Sequence, residues 1–142
     1  MQPSGAIPVA IIDGVTYRQS NDIIFALEEL FPQEPMMFGD EKRMRNLLGL
    51  ERKLFGSWMY WLTSYDRNGG LKEGFISTLT EVEKELQCAN GEGFFLGDKV
   101  SVVDAMFAPF LERMAASLLY FKGFQIRVAK GEKTDFPGVN KW

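Results

Sequence analysis

Ile7-Pro8-Val9-Ala10-Ile11-Ile12-Asp13-Gly14-Val15-Thr16-Tyr17-Arg18-Gln19-Ser20-Asn21-Asp22-Ile23 is the stretch that decides the fold. Ile7 to Ile12 is a short β-branched run, Val15-Thr16-Tyr17 is another, and Asp13-Gly14 stands between them. A type I′ turn needs positive φ at both central residues, which Asp-Gly tolerates, so a β-hairpin is expected here. Pro8 has no N–H to give a ladder and belongs at a strand start, an edge or a special turn. A helix from Asn21 to Leu30 follows, with Ser20 as its expected cap. Ile23, Ile24, Leu27 and Leu30 lay an apolar stripe on it, Asp22 favours the dipole in its first turn, and Phe31-Pro32 ends it.

Beyond this unit the pattern is helical throughout. Pro32 to Gly39 reads as a linker with two prolines. From Glu41 to about Ser64, Met44, Leu47, Leu48, Phe55, Trp58, Trp61 and Leu62 recur at helical spacing. Asp66 to Gly70 reads as a turn, and Leu71, Phe75, Leu79, Val82 and Leu86 mark a second long helix to about Gln87. Asn90 to Gly93 breaks it. Ser101 and Asp104 then form a capping box with Asp in place of Glu, opening a third long helix to about Phe121, with a kink expected at Pro109. Gly123 and a polar stretch containing Lys130, Glu132 and Lys133 form a loop, and Phe136-Pro137 opens a last turn.

Composition narrows the function. With 142 residues and 46% apolar content the chain can bury a core of one domain's size. A net charge of −3, without a basic stripe interleaved with aromatics, gives no reason to expect nucleic acid. Lys42, Arg43 and Arg45 are flanked by Asp40, Glu41 and Glu51, so this cluster reads as a solvated helix face. The chain has no His, which removes the commonest general base and zinc ligand, and no metal is expected. Cys88 is the single cysteine; it reads as an inert thiol and suits a reducing, intracellular compartment, cytoplasmic or organellar, a plastid included. No apolar run is long enough for a transmembrane segment, and Met1 to Ala6 is neither a signal nor a transit peptide.

Ile7-Pro8, the hairpin, Gln19-Ser20-Asn21-Asp22-Ile23, the proline-containing linker, Phe95-Leu96-Gly97 and Ser101-x-x-Asp104-Ala105 together resemble the glutathione S-transferase family over nearly the whole chain. Pro109-Phe110-Leu111-Glu112-Arg113 and Tyr120-Phe121-Lys122-Gly123 are similar to transferase-like proteins of plants and algae. The resemblance implies a mainly α fold: a partial glutaredoxin-like (thioredoxin-like) hairpin and helix over residues 1–31, a linker over 32–40, and an all-helical glutathione-transferase C-terminal domain over 41–142. It implies a cis bond before Pro8, glutathione as ligand with its cysteinyl part on the backbone of Ile7, and its γ-glutamyl carboxylate on Gln19 and Ser20. The last has its own physical basis, because a helix N-terminus attracts anions. Local sequence alone favours Ser20 as a plain cap and Gln19 as a loop residue; Ile7-Pro8 and the Ser101-x-x-Asp104 box turn the balance toward the ligand. Tyr60, Arg113 and Met114 are expected near the family's acceptor pocket, whereas Ser101 and Asp104 are structural.

The pattern also departs from the family. Only six residues precede Ile7, so the first strand, first helix and second strand have no counterpart, nor does the thiol-activating Tyr, Ser or Cys; Trp142 falls where a family helix would continue. A lone hairpin is marginal in water, and its outer edge would present unpaired N–H and C=O groups. Three functional expectations follow: a non-catalytic glutathione-transferase-like module, an active transferase conjugating glutathione to a small electrophile through a residue outside this sequence, or a structural or docking subunit. The open sheet edge is expected to be covered either by another copy or a protein partner, or by the rest of a longer chain of which this sequence is a part.

Overall fold

The computed structural model describes residues 5, 7–33, 35–89 and 93–142. The expectations placed on Met1 to Ser4, Ala6 and the helix breaker at Asn90 to Glu92 lie outside the described residues. The chain divides into two compact units, Met1–Met37 and Phe38–Trp142.

The first unit is the expected hairpin and helix. β1 (Ala10–Ile12) and β2 (Val15–Tyr17) pair antiparallel, with Ala10 opposite Tyr17 and Ile12 opposite Val15. Asp13 and Gly14 take φ 50 and 82, as the primed turn requires. The ladder starts only at Ala10, so Ile7, Pro8 and Val9 approach it as an extended lead-in outside the strand. α1 (Ser20–Leu30) follows, and here the cap expected at Ser20 is corrected. Gln19 is the residue with extended backbone, and its carbonyl accepts from the Ile23 N–H at 3.0 Å, so Ser20 is already the first helical residue. The Gln19 side chain makes no capping bond. Of the apolar stripe expected on α1, Ile23 and Ile24 are half-buried and Leu27 and Leu30 are exposed, while the residue that is buried is Ala26, outside that stripe. Residues past Phe31 do not leave the unit at once: the Glu28 carboxylate accepts the Met36 and Met37 N–H groups at 2.9 and 3.1 Å.

Among the described residues the second unit has three long helices and a short one: α2 (Glu41–Thr63), α3 (Gly70–Cys88), α4 (Val102–Lys122) and α5 (Pro137–Lys141). Asp40 caps α2 by accepting from the Lys42 N–H. α2 and α3 run antiparallel, as the pairs Arg43–Glu85 and Trp61 against Phe75 show. The turn between them is held by the Asp66 carboxylate, which accepts from the Leu71 and Lys72 N–H groups, with Gly69 left-handed at φ 75. The long segment after α3 brings α4 back parallel to α2. Phe55 then stacks edge-on to Phe110, the Trp58 indole donates to Ser117, and Lys122 reaches the Ser64 carbonyl. α4 continues through Pro109 to Lys122 and closes at Gly123, which takes φ 63 while the Phe124 N–H returns to the Leu118 carbonyl.

The core of this unit is apolar and includes several aromatic rings. Phe75, Leu79, Val82, Phe95, Val103, Leu118 and Val139 are fully buried, and Phe95 stacks on Phe107 with centroids 4.3 Å apart. The basic cluster is indeed surface-held, through Arg43–Glu85 and Arg45–Glu41. Glu51 is not part of that solvated face: it is 1% exposed, because it falls on the same stripe of α2 as Leu47, Leu48, Leu54 and Trp58. Among the described residues no helix is long and apolar enough to cross a membrane.

Candidate functional site

The hairpin register locates the four residues that the resemblance implied for glutathione. Ala10 pairs with Tyr17, so the chain entering through Ile7 and Pro8 and the chain leaving through Arg18 and Gln19 share one end of the two-stranded sheet. The Ile7–Pro8 bond is cis, as the resemblance implied. Ile7 is 90% exposed, so its main chain is not hidden by its own side chain's packing. Ser20 opens α1, an eleven-residue helix, with Asn21 and Asp22 completing its first turn. The N–H groups of a first helical turn have no carbonyl partner within the helix and carry partial positive charge, which is the property a carboxylate ligand uses. Beside them, the Asn21 side-chain oxygen is shielded from solvent and accepts no hydrogen bond.

The residues expected at an acceptor pocket do not behave alike. Tyr60 is exposed, and Arg113 is exposed with its guanidinium 5.9 Å from the Phe110 ring. Met114 is 1% exposed and belongs to the core of the helical unit, where α4 meets its neighbours, so it is unavailable to line an open surface. Cys88 is exposed as the last residue of α3.

Asp104 is the densest polar centre. The capping box forms as expected: one carboxylate oxygen accepts from the Ser101 N–H at 2.9 Å and the Ser101 hydroxyl at 2.6 Å. The other oxygen accepts from the Phe95 N–H at 3.1 Å and the Trp142 indole at 2.8 Å. Gly97, at φ 127, closes the tight loop with Phe94 that aims the Phe95 N–H inward. Arg127 lies over the same indole at 5.9 Å. Four donors close on its carboxylate, the geometry of a structural clasp. Sequence reasoning missed a second clasp: buried Glu83 accepts from the Gly138 and Val139 N–H groups at 2.6 and 2.8 Å and from the Gln87 amide at 2.6 Å. A carboxylate in the α3 stripe could have signalled it, but the residues it caps lie 55 positions away.

Comparison with known proteins agrees with this architecture. Residues 42–142 match the family described as glutathione S-transferase, C-terminal domain. The chain is similar to "Glutathione S-transferase DHAR2" of Arabidopsis thaliana, 29% identical over 89% of this chain and 56% of the relative. It is similar to "Glutathione S-transferase DHAR3, chloroplastic" of the same plant, 29% identical over 89% of this chain and 46% of the relative. A rice protein, "Probable glutathione S-transferase DHAR1, cytosolic", is 28% identical over 89% of this chain and 56% of the relative. The chain thus spans about half the length of the curated relatives it matches. With the helical unit matched from its first helix to Trp142, the chain belongs to the glutathione S-transferase family.

Proposed function

We propose that this chain is a glutathione-holding module whose own residues bind the tripeptide without activating its thiol. The observation that carries the reading is the convergence of Ile7-Pro8 and Gln19-Ser20 at one end of the hairpin, beside the N-terminus of α1. In this reading residues 1–31 are a partial thioredoxin-like module, 32–40 a linker, and 41–142 the helical domain. The Ile7 main chain pairs with the cysteinyl part of glutathione, Pro8 fixes that main chain, and Gln19 and Ser20 take the γ-glutamyl carboxylate. None of the four offers a thiol the hydrogen bond that would lower its pKa from the position of a catalytic group.

The experiment is retention of the whole chain on immobilised glutathione, with elution by the free tripeptide, followed by transfer to a generic electrophile. Retention is expected, with transfer no faster than the uncatalysed reaction. The paired substitution Gln19→Ala and Ser20→Ala is expected to raise the dissociation constant about tenfold, or ~1.4 kcal/mol. A chain that does not bind glutathione overturns the proposal.

A second reading is the active enzyme, and the transferase names of relatives about twice as long favour it. Its thiol-activating residue would then come from elsewhere in the protein. Transfer catalysed by a longer protein that contains this chain, and not by the chain alone, would support this reading; transfer catalysed by the chain alone would overturn both. The exposed side chains of Ile7, Val9 and Ile11, at 90%, 41% and 74%, support a docking role for the lead-in and β1, occupied by a partner strand or another copy. The chloroplastic and cytosolic names of the relatives suit an intracellular setting.

A further inference from the structure

Three carboxylates are buried among the described residues: Glu51, Glu83 and Asp104. Two of them are saturated with donors, Glu83 by the N-terminus of α5 and Gln87, and Asp104 by Ser101, Phe95 and Trp142. Glu51 is different. It is 1% exposed, and both its oxygens are shielded from solvent without a hydrogen-bond donor.

The charges around it do not compensate. On its own helix, Arg52 Nε lies 3.3 Å from one oxygen, but the Arg52 side chain is 48% exposed, where solvent weakens the attraction. On α3, Glu81 is held by Lys53, Glu85 by Arg43 and Glu83 by α5, while Lys84 is exposed. On α4, Asp104 is closed on its four donors, Glu112 pairs with Arg127, and Arg113 is exposed against Phe110. An ionised carboxylate in such a place has lost its water and gained only the solvent-weakened attraction of Arg52, whereas the neutral acid loses far less.

We propose that Glu51 carries its proton in the native fold, making the helical unit a proton-linked device that tightens in acid and loosens as the solution turns alkaline. Burial raises the Glu51 carboxyl above its ordinary range and outweighs the lowering by Arg52. In the interval between the ordinary value of 4.5 and the raised native one, the folded chain holds more protons than the unfolded chain. Stability therefore falls as pH rises through that interval and levels off above it. The centre of the change is α2, whose buried stripe supports both α3 and α4.

Urea unfolding of the full chain and of Glu51→Gln, in mildly acidic and mildly alkaline buffer, tests this. The two proteins are expected to differ little in acid, and the variant is expected to become the more stable one in alkali by about tenfold in the unfolding constant. Parallel pH profiles, or a variant weaker than wild type in alkali, overturn the proposal. If the variant fails to fold, the carboxyl carbon resonance of Glu51 in the wild-type chain decides. Titration above the ordinary range supports the proposal, and titration at the ordinary value overturns it.

Discussion

Asp104 and Glu83 show how a single carboxylate can hold distant segments together. Each is buried, and each gathers main-chain N–H groups that would otherwise lie shielded without acceptors. Replacing Asp104 with Ala removes four acceptances at once, and urea unfolding is expected to show a loss of about 3–5 kcal/mol. Trp142→Phe keeps an aromatic ring against Phe95 but removes the indole donor, so about 1–2 kcal/mol is expected from the same measurement. Gly138 is constrained by proximity: a β-carbon there would sit 2.9 Å from one Glu83 oxygen and 3.0 Å from the other. Gly138→Ala is therefore expected to cost about 1–3 kcal/mol through displacement of Glu83 from the α5 N-terminus. A melting curve unchanged from wild type would show that the clasp contributes nothing.

Local signals along the chain were enough to read the elements. The stripes of α2 and α3 recur at helical spacing, Asp13-Gly14 marks its own turn, and Ser101 and Asp104 stand three residues apart, where a capping box must have them. Removing the Ser101 hydroxyl by Ser101→Ala is expected to lower stability by about 1 kcal/mol, visible as a lower urea midpoint with an unchanged slope. What could not be read locally was set by partners remote in sequence. Trp142 meets Asp104 across 38 positions, and nothing near either residue announces it. The charged neighbours of Glu51 suggest the solvated flank of the basic cluster; the helical phase of Leu47, Leu48 and Leu54 carries it inward instead. At α1 the error was one residue, since Gln19 rather than Ser20 has the extended backbone of a cap. The contacts proposed for glutathione were legible only through the family likeness, because Gln and Ser before a helix are common without any ligand.

The two units of the molecule differ in how much they bury. The hairpin and α1 contribute Ala26 to the buried apolar set, whereas the helical unit contributes all three of its long helices and the loop at Phe95. Local opening is governed by such differences in burial. Hydrogen exchange read by mass spectrometry is expected to show the amides of Ala10–Ile12, Val15–Tyr17 and Ser20–Leu30 exchanging orders of magnitude faster than those central to α2, α3 and α4. Glutathione, if bound as proposed, should slow exchange at the start of α1 and leave the helical unit nearly unchanged. Equal protection of the two units without ligand would contradict the difference in burial.

The placement of the indoles has a practical consequence. Trp58, Trp61 and Trp142 all belong to the helical unit, and the hairpin unit's only large phenolic ring is Tyr17. Emission excited at the red edge of tyrosine absorption is consequently a probe of the larger unit, silent while the smaller one melts. Far-ultraviolet dichroism sees both, so a gap between the two transition curves would measure how separately the units come apart.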